Sequence, residues 1–305
     1  MVEDPFATFP EVVVLDGGLA TELEARGADL SDDLWSARLL LDGPQLIVDV
    51  HRAYVDAGAD VVIGASYQAS CDGLARRGLD RAAATALLQR SVELAREGAR
   101  GRALVAASVG PYGAVLANGA EYTGDYGLGD ADTARAFLRD FHGPRAEALA
   151  AADPDLLAVE TIPSVLEAEA LLQVLDALTD MPAWISFSCR DETRLNDGTP
   201  FVDAVELVSG HASVVAVGVN CTSPKAVLGL VRAASGSTVL PVVVYPNRGG
   251  TWDPRAKGWI GDDLPDGLGP LARELRVAGA RLIGGCCGTG PADIKAAAAA
   301  LRPAA

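Results

Sequence analysis

The sequence predicts a (β/α)8 barrel of the TIM type, and three observations carry that prediction. Short apolar runs rich in Val and Ile recur eight times, at 11–15, 60–64, 103–108, 155–160, 183–188, 214–220, 238–244 and 281–285. Longer Ala/Leu/Arg/Glu stretches of helical period lie between most of them, at 44–57, 80–99, 131–151, 164–178, 224–235 and 267–278. The length, 305 residues, suits one barrel with insertions. Continuous apolar strands separated by helices indicate a parallel sheet buried on both faces. Eight such units favour closure over an open doubly wound sheet.

Taken in order, the first run leads into Asp16-Gly17-Gly18, and a helix follows from about Leu19. The helix at 44–57 opens on Pro44, whose missing N–H is not needed in a first turn. The next strand ends run into Ala65-Ser66-Tyr67-Gln68, Gly110-Pro111-Tyr112-Gly113, Glu160-Thr161 and Cys189-Arg190. The last three run into Asn220-Cys221-Thr222, Tyr245-Pro246-Asn247 and Gly285-Cys286-Cys287-Gly288. Barrel active sites form in the loops that follow strands, so these ends are where chemistry is expected. The stretches 118–130 and 247–267 read as long loops over the mouth, and 295–305 as a last helix with a frayed tail. No linker divides the chain, which is read as one domain over 1–305.

Composition narrows the function. The formal charge is −16, from 41 acidic and 25 basic residues. That opposes nucleic acid or an anionic membrane as partner, since both are polyanions, and it is compatible with a cationic small substrate. The N-terminus lacks a basic region followed by an apolar stretch, so no signal peptide is expected. No apolar run approaches the ~20 residues that span a bilayer. Five cysteines is an odd number with no secreted disulfide spacing, which fits a reducing cytoplasm.

Adjacent Cys286 and Cys287 cannot easily bridge each other, because a disulfide needs its two Cα atoms well apart. With Cys221 at another strand end they suggest a soft metal site, and three protein ligands leave one position open. Gly284, Gly285 and Gly288 permit the unusual backbone of adjacent ligands. The competing reading is three buried cysteines packed as small hydrophobes, the role expected for Cys71 and Cys189. Zinc on three thiolates polarises carbonyls weakly but suits a fourth thiolate, which stays nucleophilic at neutral pH. Alkylation of a substrate thiol is the reaction expected.

Asp16 and Glu160 could act as an acid/base pair or clamp the ammonium group of an amino acid, with Gly17 and Gly18 N–H groups on its carboxylate. Alternatively, Asp16 caps the helix near Leu19 and Glu160 is a structural partner. The histidines His51, His142 and His211 lie away from strand ends, in surface or packing roles.

The segments Leu15-Asp16-Gly17-Gly18-Leu19-Ala20-Thr21-Glu22-Leu23, Ala65-Ser66-Tyr67-Gln68-Ala69, Glu160-Thr161-Ile162-Pro163, Gly218-Val219-Asn220-Cys221-Thr222 and Gly284-Gly285-Cys286-Cys287-Gly288-Thr289 together resemble the homocysteine S-methyltransferase family. The resemblance runs from about residue 11 to 301, and the combined cysteine motifs are highly specific. It implies zinc on Cys221, Cys286 and Cys287, Asp16 and Glu160 at the homocysteine amino group, and Gly17 and Gly18 near its carboxylate. It also implies Asn247 as a candidate fourth ligand without substrate. Thr161 stands where the betaine-dependent branch has tyrosine, and Leu34-Trp35-Ser36-Ala37 resembles the stand-alone branch that uses S-methylmethionine. A sulfonium donor, S-methylmethionine or S-adenosylmethionine, is therefore expected to methylate homocysteine to methionine by in-line displacement. Aromatic faces that could bind the cation are Trp35, Tyr67, Tyr112, Tyr126 and Trp252, with Thr161 beside the substrate. Alternatives are betaine or another donor, a selenol acceptor, a lyase or hydrolase led by Asp16 and Glu160, and a non-catalytic zinc or thiol regulator. A monomer or weak homo-oligomer is expected.

Overall fold

In the computed structural model, residues 2–9, 11–30, 38–116, 118–249, 251–253 and 258–302 are described. The chain builds β1 (Val13–Val14), α1 (Leu19–Ala25), α2 (Leu39–Asp42), α3 (Pro44–Asp56), β2 (Val61–Ile63), α4 (Cys71–Ala75) and α5 (Arg81–Ala99). There follow β3 (Leu104–Val109), α6 (Tyr112–Leu116), a 3-10 turn (Ala120–Tyr122), α7 (Ala131–Ala150), β4 (Leu156–Ile162), α8 (Val165–Ala177), β5 (Ala183–Phe187) and α9 (Phe201–Ser209). The last third holds β6 (Val214–Asn220), α10 (Pro224–Ser237), β7 (Val242–Tyr245), β8 (Thr251–Asp253), β9 (Gly258–Ile260), α11 (Leu268–Val277), β10 (Ala280–Ile283) and α12 (Pro291–Leu301).

Eight parallel strands pair in the order β1-β10-β7-β6-β5-β4-β3-β2, and a parallel bridge from Leu15 to Val61 joins the two ends. This is the expected (β/α)8 barrel. Six helices stand within about two residues of the expected spans. Strand β7 starts at Val242, not at 238, because Pro241 precedes it and the preceding residues turn. The stretch 247–267 is not loop throughout, since β8 and β9 pair antiparallel within it. Helix α9 was not anticipated; its short apolar stripe (Phe201, Ala204, Val205, Val208) reads as a fragment beside the longer helices.

Period-two alternation sorts each strand between two cores. Leu157 and Val159 of β4 face the helices, while Leu156 and Ala158 join Val13, Leu15, Val61, Ala106, Trp184, Ala216, Val243 and Leu282 inside the barrel. Phe6, fully buried, packs into this inner cluster. Burying each of the Val, Leu and Phe side chains among them contributes roughly 1.5–3 kcal/mol. The same alternation carries the inward face upward to Ser108, Glu160, Ser186, Asn220, Tyr245 and Cys286. Hydrophobic residues therefore fill the barrel below and polar ones collect at its mouth. Among the described residues no helix is long and apolar enough to cross a membrane.

Candidate functional site

The three cysteines meet at the mouth. Cys221 follows β6, Cys286 and Cys287 follow β10, and β7 lies between them. Alternation alone would point Cys221 away from Asn220's inward face. Its left-handed backbone, φ +48°, redirects the chain, and its N–H is held by the Tyr245 carbonyl at 3.1 Å. The Cys221–Cys287 and Cys286–Cys287 sulfur separations are each 4.0 Å, and all three sulfurs lie within 4.8 Å of one another. Two sulfurs on a tetrahedral zinc with ~2.3 Å bonds stand about 3.8 Å apart, so the trio fits such an ion. The Cys286 and Cys287 thiols hydrogen-bond to Cys221, pulling its pKa well below the ordinary thiol value and raising theirs.

The cysteine loop is tightly built. A Cβ on Gly285 would lie 2.2 Å from Thr289 Oγ1. The Arg248 N–H holds the Cys287 carbonyl at 2.8 Å, while its guanidinium pairs with Asp293 at 2.9 Å. Asn247 is buried, hydrogen-bonds to Cys221, and leaves its Oδ1 without a partner among the described residues.

Both expected carboxylates are buried at this mouth. Asp16 Oδ2 accepts from Ile63 N–H at 2.8 Å, and Oδ1 has no partner among the described residues. The helix cap is Gly18, with no side-chain bond, so the capping alternative for Asp16 fails. Glu160 accepts from Ser108 Oγ at 2.5 Å and Tyr245 OH at 3.0 Å. Burial raises Asp16 well above the usual carboxylate range, with the Glu160 charge adding to it. Burial also lifts Glu160 to about 7, opposed by the Ser108 and Tyr245 hydroxyls.

The expectation for the two glycines needs correction. Gly18 N–H is engaged by the Thr289 carbonyl at 3.0 Å, which leaves Gly17 N–H as the one of the pair without a backbone partner among the described residues. A Cβ on Gly18 would stand 2.7 Å from the Cys286 carbonyl, so close packing, not anion binding, explains that glycine.

Thr161 has φ +63°, an uncommon conformation for a β-branched residue. Asn220 holds it there: Oδ1 accepts from Thr161 N–H at 2.7 Å, and Nδ2 donates to Thr161 Oγ1 at 2.8 Å. Ser186 Oγ also donates to Asn220 Oδ1 at 2.9 Å. Tyr67 packs over Gly110 and hydrogen-bonds to the Thr161 side chain.

The other proposed aromatics divide. Tyr112 lies in a ring cluster with Tyr126, Phe137 and Phe141, at centroid distances of 5.4, 5.1 and 4.9 Å. Tyr126 OH donates to Glu167 at 2.5 Å. Both are thereby committed to the packed cluster around Glu167. Trp35 and its motif lie outside the described residues, as does the side chain of Trp252. The aromatic at the cysteines is Tyr122, whose hydroxyl is 3.4 Å from Cys221 Sγ. Sequence reading missed Tyr122, its neighbour Glu121 and the clamp role of Asn220. The signal available was an acid and an aromatic inside the 118–130 segment already assigned to the mouth. His51 and His142 are fully buried in packing positions, and Cys189 is buried as expected.

Comparison with known proteins identifies the family of the chain. The family described as homocysteine S-methyltransferase matches residues 13–301. Homocysteine S-methyltransferase of Escherichia coli K12 is 47% identical over 94% of each chain. Homocysteine S-methyltransferase YbgG of Bacillus subtilis 168 is 42% identical over 97% of this chain and 96% of its own. The metallated crystal form of the E. coli homocysteine methyltransferase MmuM superposes with a TM-score of 0.86, at 45% identity, covering 97% of this chain and 99% of that one. Its apo form gives 0.76 over the same shares at 40% identity.

Proposed function

Because the chain belongs to the homocysteine S-methyltransferase family, homocysteine is its methyl acceptor, and we propose that the donor is a sulfonium compound of the S-methylmethionine type. The single observation that carries the chemistry is the cluster of three thiols at the ends of β6 and β10. Cys221, Cys286 and Cys287 would hold zinc, as their sulfur spacing supports. Bound there, zinc supplies a Lewis acid that lowers the pKa of a thiol and keeps it reactive at neutral pH.

The chain's own residues then bind and orient. Asp16, through its unpartnered Oδ1, and Glu160, through lone pairs left on both oxygens, take the homocysteine ammonium group. An arriving ammonium stabilises both carboxylates in ionised form. Ser108 and Tyr245 fix the Glu160 carboxylate, while Asn220 holds Thr161 and so sets the direction in which β4 ends. Gly17 N–H is left to the substrate carboxylate. Asn247 rests against Cys221, in position to cover the site between turnovers.

The homocysteine sulfur, as thiolate, forms a bond to the donor methyl carbon as the carbon–sulfonium bond breaks. The leaving sulfur keeps that electron pair as a neutral thioether, and the thiol proton has already gone to solvent. No general base is needed in the transfer itself. Positioning of sulfur, methyl and leaving group in line accounts for most of the rate.

The test is methionine formation from homocysteine and S-methylmethionine by protein carrying close to one zinc per chain, with S-adenosylmethionine and betaine in parallel. Product with S-methylmethionine is expected. Turnover with betaine alone would overturn the donor assignment.

A further inference from the structure

A sulfonium donor brings a positive charge that the homocysteine subsite does not receive. The excursion after β3 carries two side chains to the mouth that no homocysteine contact uses, Glu121 and Tyr122. Their turn is pinned on three sides. Asn118 Oδ1 accepts from Ala120 N–H at 3.0 Å. The Glu121 carbonyl accepts from Ser188 Oγ and Asn196 Nδ2, each at 3.3 Å, just beyond β5. A Cβ on Gly113 would lie 2.4 Å from Glu121 N, so α6 packs directly on the turn.

The Tyr122 ring has its hydroxyl 3.4 Å from Cys221 Sγ, yet the residue remains 45% exposed. One end touches the reacting site and the rest is open to an incoming molecule. Glu121 lies within electrostatic reach of Cys221 and Tyr67, which places its carboxylate near the mouth. Its Oε2 is buried and has no hydrogen-bond partner among the described residues. Burial raises its pKa, so a positive charge placed beside it would favour its ionised form. A buried acceptor left unmatched is costly unless a ligand completes it.

We propose that Glu121 and Tyr122 form the subsite for the donor's positive charge, Glu121 as counter-ion and the Tyr122 ring as the aromatic face beside the thiols. The inference rests on the sulfonium reaction proposed above. Transfer converts the bound sulfonium into a neutral thioether, so the pair grips donor more tightly than product and favours release. Because the cation's charge is already dispersing in the transition state, the pair binds the ground state at least as strongly. Its loss therefore appears in the donor KM and little in kcat. The pair also selects charged donors over neutral ones.

The experiment compares the zinc-loaded parent with Glu121→Gln, Glu121→Asp and Tyr122→Leu. It measures steady-state kinetics in S-methylmethionine at saturating homocysteine, with homocysteine and S-methylmethionine binding followed separately by calorimetry. Glu121→Gln should raise the donor KM about tenfold with kcat within about threefold. Homocysteine Kd should stay within about twofold, Glu121→Asp should recover most of the loss, and Tyr122→Leu should raise donor KM several-fold. A donor KM within twofold of the parent in both Glu121→Gln and Tyr122→Leu overturns the subsite. So does an equal weakening of homocysteine, which marks a structural role. If the parent forms no methionine from any sulfonium, the reaction reading fails, while the calorimetric Kd of S-methylmethionine on parent and Glu121→Gln still decides the subsite.

Discussion

Two buried polar clusters flank the upper part of β3 and β4, and they differ in what they leave unsatisfied. Behind the strands, between α7 and α8, Glu167 is fully buried and accepts from Tyr112 N–H at 2.6 Å, Tyr126 OH at 2.5 Å and His142 Nε2 at 2.9 Å. There the charged atoms without partners among the described residues are donors, the guanidinium Arg145 Nε and Nη1. At the mouth the unmatched atoms are acceptors, Asp16 Oδ1, Glu121 Oε2 and Asn247 Oδ1. A carboxylate saturated by its own fold holds that fold together. A carboxylate left short of donors is arranged for a molecule that brings them, and here that molecule must be cationic or rich in N–H. The sign of what is missing, and not the mere presence of buried acids, separates the binding cluster from the structural one.

Substitutions can break this contrast. The largest effect is expected from Cys221→Ser, which should lower methionine formation by about a thousandfold or more and cut zinc content well below one per chain. Rate and metal analysis on the same preparation check it, and methionine formed at the parent rate without zinc would overturn the role given to the metal. Next, Glu160→Gln should weaken homocysteine binding by about a hundredfold, since it removes a counter-charge to the ammonium, without lowering stability at neutral pH, because the neutral amide escapes the cost of burying an ionised carboxylate. Glu167→Gln should do the reverse, costing about 2–3 kcal/mol in chemical denaturation while homocysteine Kd holds within about twofold. If the two substitutions behaved alike, the division between the clusters would be lost.

pH sharpens the same contrast. Glu160 titrates near 7 when folded, against an ordinary 4.5. Between those values the native state holds more protons than the unfolded chain, so this group makes stability fall as pH rises, by roughly 3 kcal/mol in all, and no further above pH 7. Binding runs the other way, because an ammonium needs the ionised carboxylate. The affinity for thiol-free methionine, measured by calorimetry, should rise as pH climbs through about 7, and Glu160→Gln should flatten that rise. The smallest effect is expected from Asn220→Ala. Freed of its two bonds, Thr161 should relax from its left-handed backbone, and kcat/KM for homocysteine should fall about tenfold, with zinc content unchanged.

Much of the site was readable along the chain. Cysteines at two strand ends, an acid after each of two others and glycines around the cysteine pair are local patterns, and the barrel places strand ends together. Asn247 was marked by its position after β7. Glu121 and Tyr122 lay inside the 118–130 segment read as covering the mouth, but nothing local singled them out from Tyr126 in that segment. Gly18 misled, because its N–H meets Thr289, more than 260 residues away in the chain. Helix α9 escaped because nine residues carry too few turns for a clear period.

The sequence by itself determined the eight-fold alternation, the inward face of each strand and the residue types offered at the mouth. These follow from periods of 2 and 3.6 and from side-chain chemistry, which are local properties. Only the tertiary structure decided which of those groups meet. Barrel closure puts Leu15 beside Val61, the strand order leaves a single strand between Cys221 and the Cys286/Cys287 pair, and left-handed turns at Thr161 and Cys221 reverse what alternation predicts. Thr161 is held by Asn220 from two strands away, and Cys221 by Tyr245 on the adjacent strand. A conformation stabilised by a partner distant in sequence leaves no mark in its own segment, which is why the final geometry of the thiols required the fold.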